Sequence, residues 1–194
     1  MGVVSAIGNN LSENHLSLRN QETGIGKAKY LNSKYADGLL FGEVKLSNEE
    51  LKSRIKNNID EELTRTELLA FMAFEEAIYN ADLSDADLQD YDTALLSATT
   101  VSGMVEMEAI YADANTNTES SPYVNSYRSG AHTLQLARVF GLKGYTDTLN
   151  TACSSSANAI MQGARMLKAG KWKRAIVGKK KRSEEHTSEL QSLG

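Results

Sequence analysis

The chain has 194 residues, 41% hydrophobic and 24% charged, with a formal net charge of -4, so it is long enough to bury the core of one large domain or two small ones. A single proline and no apolar run near the roughly 18 residues of a membrane helix exclude collagen-like, low-complexity and helix-spanning membrane classes. One cysteine and three histidines exclude an internal disulfide and a cysteine-rich zinc module and point to a reducing, cytoplasmic setting, while the acidic balance leaves no basic surplus for broad nucleic-acid binding.

In chain order, Gly2 to Gly8 (GVVSAIG) predicts the end of a strand entering a turn, and residues 9–35 read as helix and loop broken by glycine. Met1 is followed by no basic segment and no long apolar stretch, so no secretory leader is expected. Thr64-Arg65-Thr66-Glu67 fits a capping box, and Leu68, Leu69, Met72, Ala73 and Ile78 follow it at helical spacing. Thr93 to Ala98 predicts a buried strand between the Asp-rich stretch 82–92 and a turn at Thr99–Gly103. Residues 112–121 form a polar loop ending at Pro122. Ala131 to Phe140 predicts a helix stopped by Gly141. Thr146 to Ala152 reads as a strand, Ser154 to Ala169 as a helix ended by Gly170, and Arg174 to Gly178 as the next strand. Strand, helix, strand with a short return predicts a parallel α/β layer without internal repeats.

The segment Asn150-Thr151-Ala152-Cys153-Ser154-Ser155-Ser156-Ala157 places the only cysteine where a strand ends and an apolar-periodic helix begins. Ala157, Ile160, Met161, Ala164 and Leu167 are the expected buried face of that helix. A thiol at a helix start feels the positive end of the dipole and nearby N–H groups, which favour the thiolate. Small neighbours admit a substrate carbonyl, and the Cys153 backbone N–H is placed to donate to a developing oxyanion. By spacing alone a buried packing thiol is the competing reading.

The words around the cysteine decide between them. TACSSSANAI at 151–160, with FGLKGYTDTLN before it and AGKWKRAIVG after it, resembles the nucleophile region of β-ketoacyl synthases, the condensing enzymes of fatty-acid and polyketide synthesis. The likeness extends to GVVSAIG at 2–8, TRTELLA at 64–70 and TTVSGM at 99–104, and so covers nearly all of 2–178. It implies the N-terminal half of a thiolase-like fold with αβαβα layers, truncated at both ends. It further implies that Cys153 takes an acyl chain from acyl carrier protein as a thioester, and that a decarboxylating malonyl-carrier thioester then attacks it. The substrates ride on the phosphopantetheine of the carrier, and neither resident cofactor nor metal is implied. Val101 is the candidate for a side chain lining the acyl channel, with ordinary packing in a strand-end turn as its alternative. Pairing across a twofold axis in the family implies a homodimer interface at residues 146–152.

Other candidates carry less. His132 opens a helix and pairs with Cys153 only in a second reading, a cysteine hydrolase, which requires the two side chains within hydrogen-bond reach. A third reading treats the chain as a binding or inert product. Lys168, Lys171, Lys173 and Arg174 form a basic cluster suited either to an acidic carrier protein or to a helix C-terminus in solvent. His15 reads as a surface residue. The family's chemistry also needs two histidines and a lysine that match nothing here, because the resemblance stops at Gly178. Residues 179–194 are therefore expected to be a disordered, non-native tail, since RSEEHTSELQS at 182–192 resembles translated sequencing adapter. A layer cut in this way is expected to expose sheet edge and apolar surface and to associate.

Overall fold

The computed structural model describes residues 1–31, 33–57, 59, 62–100, 128–180 and 188–193. Its strands are β1 (Gly2–Val4), β2 (Thr93–Thr99), β3 (Thr146–Leu149), β4 (Arg174–Lys180) and β5 (Ser188–Leu193). Its helices are α1 (Leu11–Arg19), α2 (Asn48–Arg54), α3 (Arg65–Asn80), α4 (Asp85–Gln89), α5 (Ala131–Val139) and α6 (Ser155–Lys168). The five strands form one sheet in the order β1-β5-β4-β2-β3. β2 runs parallel to both β3 and β4, as the strand-helix-strand pattern predicts, and all seven of its residues are buried.

The pleat sends neighbouring residues of β2 to opposite faces. Leu95, with Ile176 of β4, joins the larger core cluster, whereas Leu96 and Ala98 join Ala175, Val177 and Ala159 on the other side. The larger cluster is built on α3. Thr64 and Glu67 form the predicted capping box, and Leu68, Leu69, Phe71, Phe74 and Ala77 are buried below it. Phe140, at the end of α5, closes this side with its ring 4.5 Å from Phe74 and 5.7 Å from Phe71. Gly141 then takes the left-handed conformation that stops the helix, at φ +66°. Glu76 of α3 ties on the N-terminal segment by accepting from the backbone N–H of Val3 and of Leu11, at 2.8 and 2.6 Å.

Four expectations need correction. α2 and α4 are additional helices, opened by boxes from Ser47 to Glu50 and from Ser84 to Asp87. β3 ends at Leu149 rather than Ala152, because the chain must turn before α6. On α6, Ala157, Ile160 and Met161 are exposed, and the buried residues are Ser155, Ala159 and Gly163. A Cβ on Gly163 would stand 2.9 Å from Val177 Cγ2, so only a face of small residues lets the helix lie this close to the sheet. Finally, the tail expected to be disordered contributes β5, antiparallel to both β1 and β4. Facing strand edges carry N–H and C=O groups in need of partners, and an extended segment between them satisfies both rows.

Charges at the N-terminal ends of the strands pair off. Arg174 bonds to Asp87 and, at 3.2 Å, to Asp90, while Lys173 lies 2.6 Å from Asp92. The Ser84 hydroxyl and N–H, with help from Arg174, hold the Asp87 carboxyl below its ordinary range. Glu75 shows the opposite: burial pushes its carboxyl up, although it accepts from the Lys56 and Asn57 N–H groups. A raised folded value means that the ionised form costs stability, fully above that value, and that the cost fades as pH falls through it and is gone below the unfolded one. Glu75→Gln keeps an acceptor and removes the charge. It is expected to melt above the native chain at neutral pH, with the difference closing in acid; thermal melts at both pH values check this.

Candidate functional site

Cys153 is exposed, in a 3₁₀ turn of Ala152–Ser154 between β3 and α6. Ala152 is in the left-handed region at φ +52°, which costs a residue with a Cβ about 1–2 kcal/mol. The surrounding hydrogen bonds hold it there. Thr151 N–H donates to Ser155 Oγ at 2.9 Å, and that hydroxyl lies 2.7 Å from the Ala152 carbonyl oxygen and 3.0 Å from that of Thr99. Thr100 Oγ1 donates to the Ala152 carbonyl at 3.3 Å. On the solvent side Asn158 Nδ2 donates to Thr151 Oγ1 at 2.8 Å, and Ser154 Oγ to the Thr151 carbonyl, also at 2.8 Å.

The turn is thus fastened to the C-terminal end of β2, a strand buried along its whole length. The parallel neighbour β3 delivers the chain to it, and α6 carries it away with its axis rising from Ser155. In chemical terms this is a nucleophile-sized side chain on a stiff corner, open to solvent, at the carboxyl end of a parallel sheet. That is where open α/β folds leave room for ligands. Sequence reasoning placed Cys153 at this junction but missed Ser155, Asn158 and the Thr99–Thr100 anchor. Ser155 had one available signal: it lies four residues before Ala159 and eight before Gly163, on the small-residue face.

The other candidates separate from the cysteine. His132 is buried between α5 and β2, its Nε2 2.7 Å from Ser97 Oγ and 3.3 Å from Thr133 Oγ1. The structure does not bring it to the exposed thiol, which removes the geometry that a Cys–His hydrolase requires. Val101 lies outside the described residues. Lys173 and Arg174 are committed to aspartates, and Lys168 is the last residue of α6 with Lys171 just beyond it, about 20 Å along the helix from Cys153. His15 is exposed, as expected. No described helix is long and apolar enough to cross a membrane.

A family model described as "Beta-ketoacyl synthase, N-terminal domain" matches residues 1–186. Among curated proteins, 3-oxoacyl-[acyl-carrier-protein] synthase 1 of Escherichia coli (strain K12) is 29% identical over 177 residues, covering 88% of the chain. The chain spans 43% of that relative's length. "Probable polyketide synthase 10" of Dictyostelium discoideum is 43% identical over 58 residues, 29% of the chain and 2% of that protein. Among solved structures, the ishigamide ketosynthase/chain length factor superposes with a TM-score of 0.78 at 20% identity, covering 92% of this chain and 45% of its own. A type II polyketide ketosynthase solved with its acyl-carrier protein gives 0.67 at 18% identity, covering 92% and 43%. These likenesses establish the fold as that of the ketosynthases.

Proposed function

The chain belongs to the β-ketoacyl synthase family, and from that premise we propose that its protein is a 3-oxoacyl-[acyl-carrier-protein] synthase with Cys153 as the acyl acceptor. The observation that carries this reading is the exposed Cys153 on a strained corner bolted to the carboxyl end of β2. The sulfur attacks the acyl carbonyl, the bond to the carrier's phosphopantetheine sulfur breaks, and the carrier leaves as its thiol. Malonyl-carrier then loses carbon dioxide, its carbanion attacks the acyl carbon, and the bond to Cys153 breaks to return the thiolate. The Cys153 N–H serves as one oxyanion donor.

Fatty-acid synthesis in the cytoplasm is the proposed setting, on the match to the Escherichia coli synthase over 88% of the chain; a polyketide-type ketosynthase is the second reading, since probable polyketide synthase 17 of Dictyostelium discoideum matches the same share at 27% identity. The partners are acyl carrier protein and a second copy of the protein; no resident cofactor is invoked. Support for the dimer comes from β3. Its four residues are half-buried, and among the described strands only β2 pairs with it. The exposed Ile160 and Met161 on α6 support a further layer over that helix, as the αβαβα arrangement requires.

Incubating the chain with an acyl-carrier thioester is expected to add one acyl group, seen by mass, and the Cys153→Ala variant none. Lack of an adduct on the native chain overturns the reading. With malonyl-carrier thioester added, the chain alone is expected to give no ketoacyl product, because the histidine pair and lysine of the family's chemistry match nothing in it. Product from the chain alone would show that those groups are dispensable.

A further inference from the structure

Three serines follow Cys153, and residue type does not tell them apart. Their environments do: Ser154 is exposed, Ser156 is half-buried, and Ser155 is completely buried. A hydroxyl has one proton and two lone pairs. That of Ser155 accepts from Thr151 N–H and shares its proton between the carbonyls of Ala152 and Thr99. These partners bracket a single residue. Thr151 enters Ala152, the Ala152 carbonyl leaves it, and Thr99 is the last residue of β2. An alanine at φ +52° stays there only when its surroundings over-determine it.

We infer that Ser155 is the positioning residue of the Cys153 site: its hydroxyl holds Ala152 left-handed and ties the turn to β2, which sets how Cys153 stands at the head of α6. Its purpose rests on the reading of Cys153 as an acyl acceptor; its geometry does not. A sulfur held in place by a fastened turn meets a reagent at a different rate from one on a relaxed turn, so the alkylation rate of Cys153 reports the state of Ala152.

Cys153 is the only cysteine, so alkylation of the intact chain by iodoacetamide, followed by mass, reads this thiol alone. Ser155→Ala is expected to slow alkylation several-fold at neutral pH. Ser156→Ala is expected to match native. Ala152→Gly supplies the left-handed conformation without a Cβ. It is expected to melt above the native chain, and adding Ser155→Ala to it should cost much less of the neutral rate. Equal losses with and without Gly at 152, or a Ser155→Ala rate equal to that of native, overturn the proposal. If Ser155→Ala does not fold, a lower melting temperature for Ala152→Gly than for native overturns it instead. No acyl substrate is involved, so a missing acyl adduct would sink the condensing reading and leave Ser155 standing.

Discussion

Phe74→Ala is expected to destabilise the chain by about 3–5 kcal/mol, enough to remove most of the margin of an ordinary domain. The side chain is fully buried on α3, and its ring meets Phe140 at 4.5 Å with a 49° tilt. Truncation removes the transfer energy of the ring and leaves a hole that the helix cannot collapse into, because Thr64, Glu67 and Glu76 pin α3 at its start and to β1. Urea denaturation followed by circular dichroism reads the loss. Tyr79→Ala on the same helix is the comparison, since its side chain is exposed and should change stability by less than about 1 kcal/mol. A Phe74→Ala chain as stable as Tyr79→Ala would mean that α3 is not the centre of the core.

Gly144→Ala is expected to be as damaging by the opposite route, overfilling. A Cβ there would stand 2.0 Å from the Thr93 carbonyl oxygen and 2.8 Å from that of Tyr91. Both are backbone atoms at the entry to β2, so the cost should reach at least about 3 kcal/mol, the upper end for overpacked sites. The displaced strand is β3, held to β2 partly by Leu95 N–H donating to the Tyr145 carbonyl at 2.8 Å. Because β3 leads directly into the cysteine turn, Gly144→Ala should also lower Cys153 alkylation at neutral pH in whatever fraction remains folded. Gly38→Ala is the control: nothing lies within 4 Å of its added Cβ, and its stability should change little. If the two glycine variants denature at the same urea concentration, β3 does not approach β2 as closely as described.

The elements with strong local signals were legible. α3 announced itself by a capping box followed by apolar spacing, and the parallel sheet by alternation of strand and helix. The boxes at Ser47–Glu50 and Ser84–Asp87 carried the same signature for α2 and α4, but both helices are short and lack a long apolar repeat, so neither stood out from its polar surroundings. The inward face of α6 was misread for a physical reason. Apolar spacing selects the bulkiest stripe, Ala157, Ile160, Met161, Ala164 and Leu167, of which Leu167 packs against the smaller core cluster, whereas close approach to the sheet selects the smallest residues, Ser155, Ala159 and Gly163. Two apolar faces on one helix defeat a rule that assumes a single one. β5 was illegible because its place depends on the edge of β1, nearly the whole chain away, as well as on that of β4. At the site, Cys153 was visible from its neighbours in the sequence. The role of Ser155 was not, since it depends on Thr99, fifty-six positions upstream in the chain.

The two faces of α6 also bear on how this helix tolerates change. At about 100° per residue, Ser155, Ala159 and Gly163 point one way and Ala157 and Met161 nearly the reverse, with Asn158, Gln162 and Arg165 on a polar strip between them. On the sheet side such a segment admits only small residues, as the space at Gly163 shows. The element that begins two residues after the cysteine is therefore closed to larger side chains on that face.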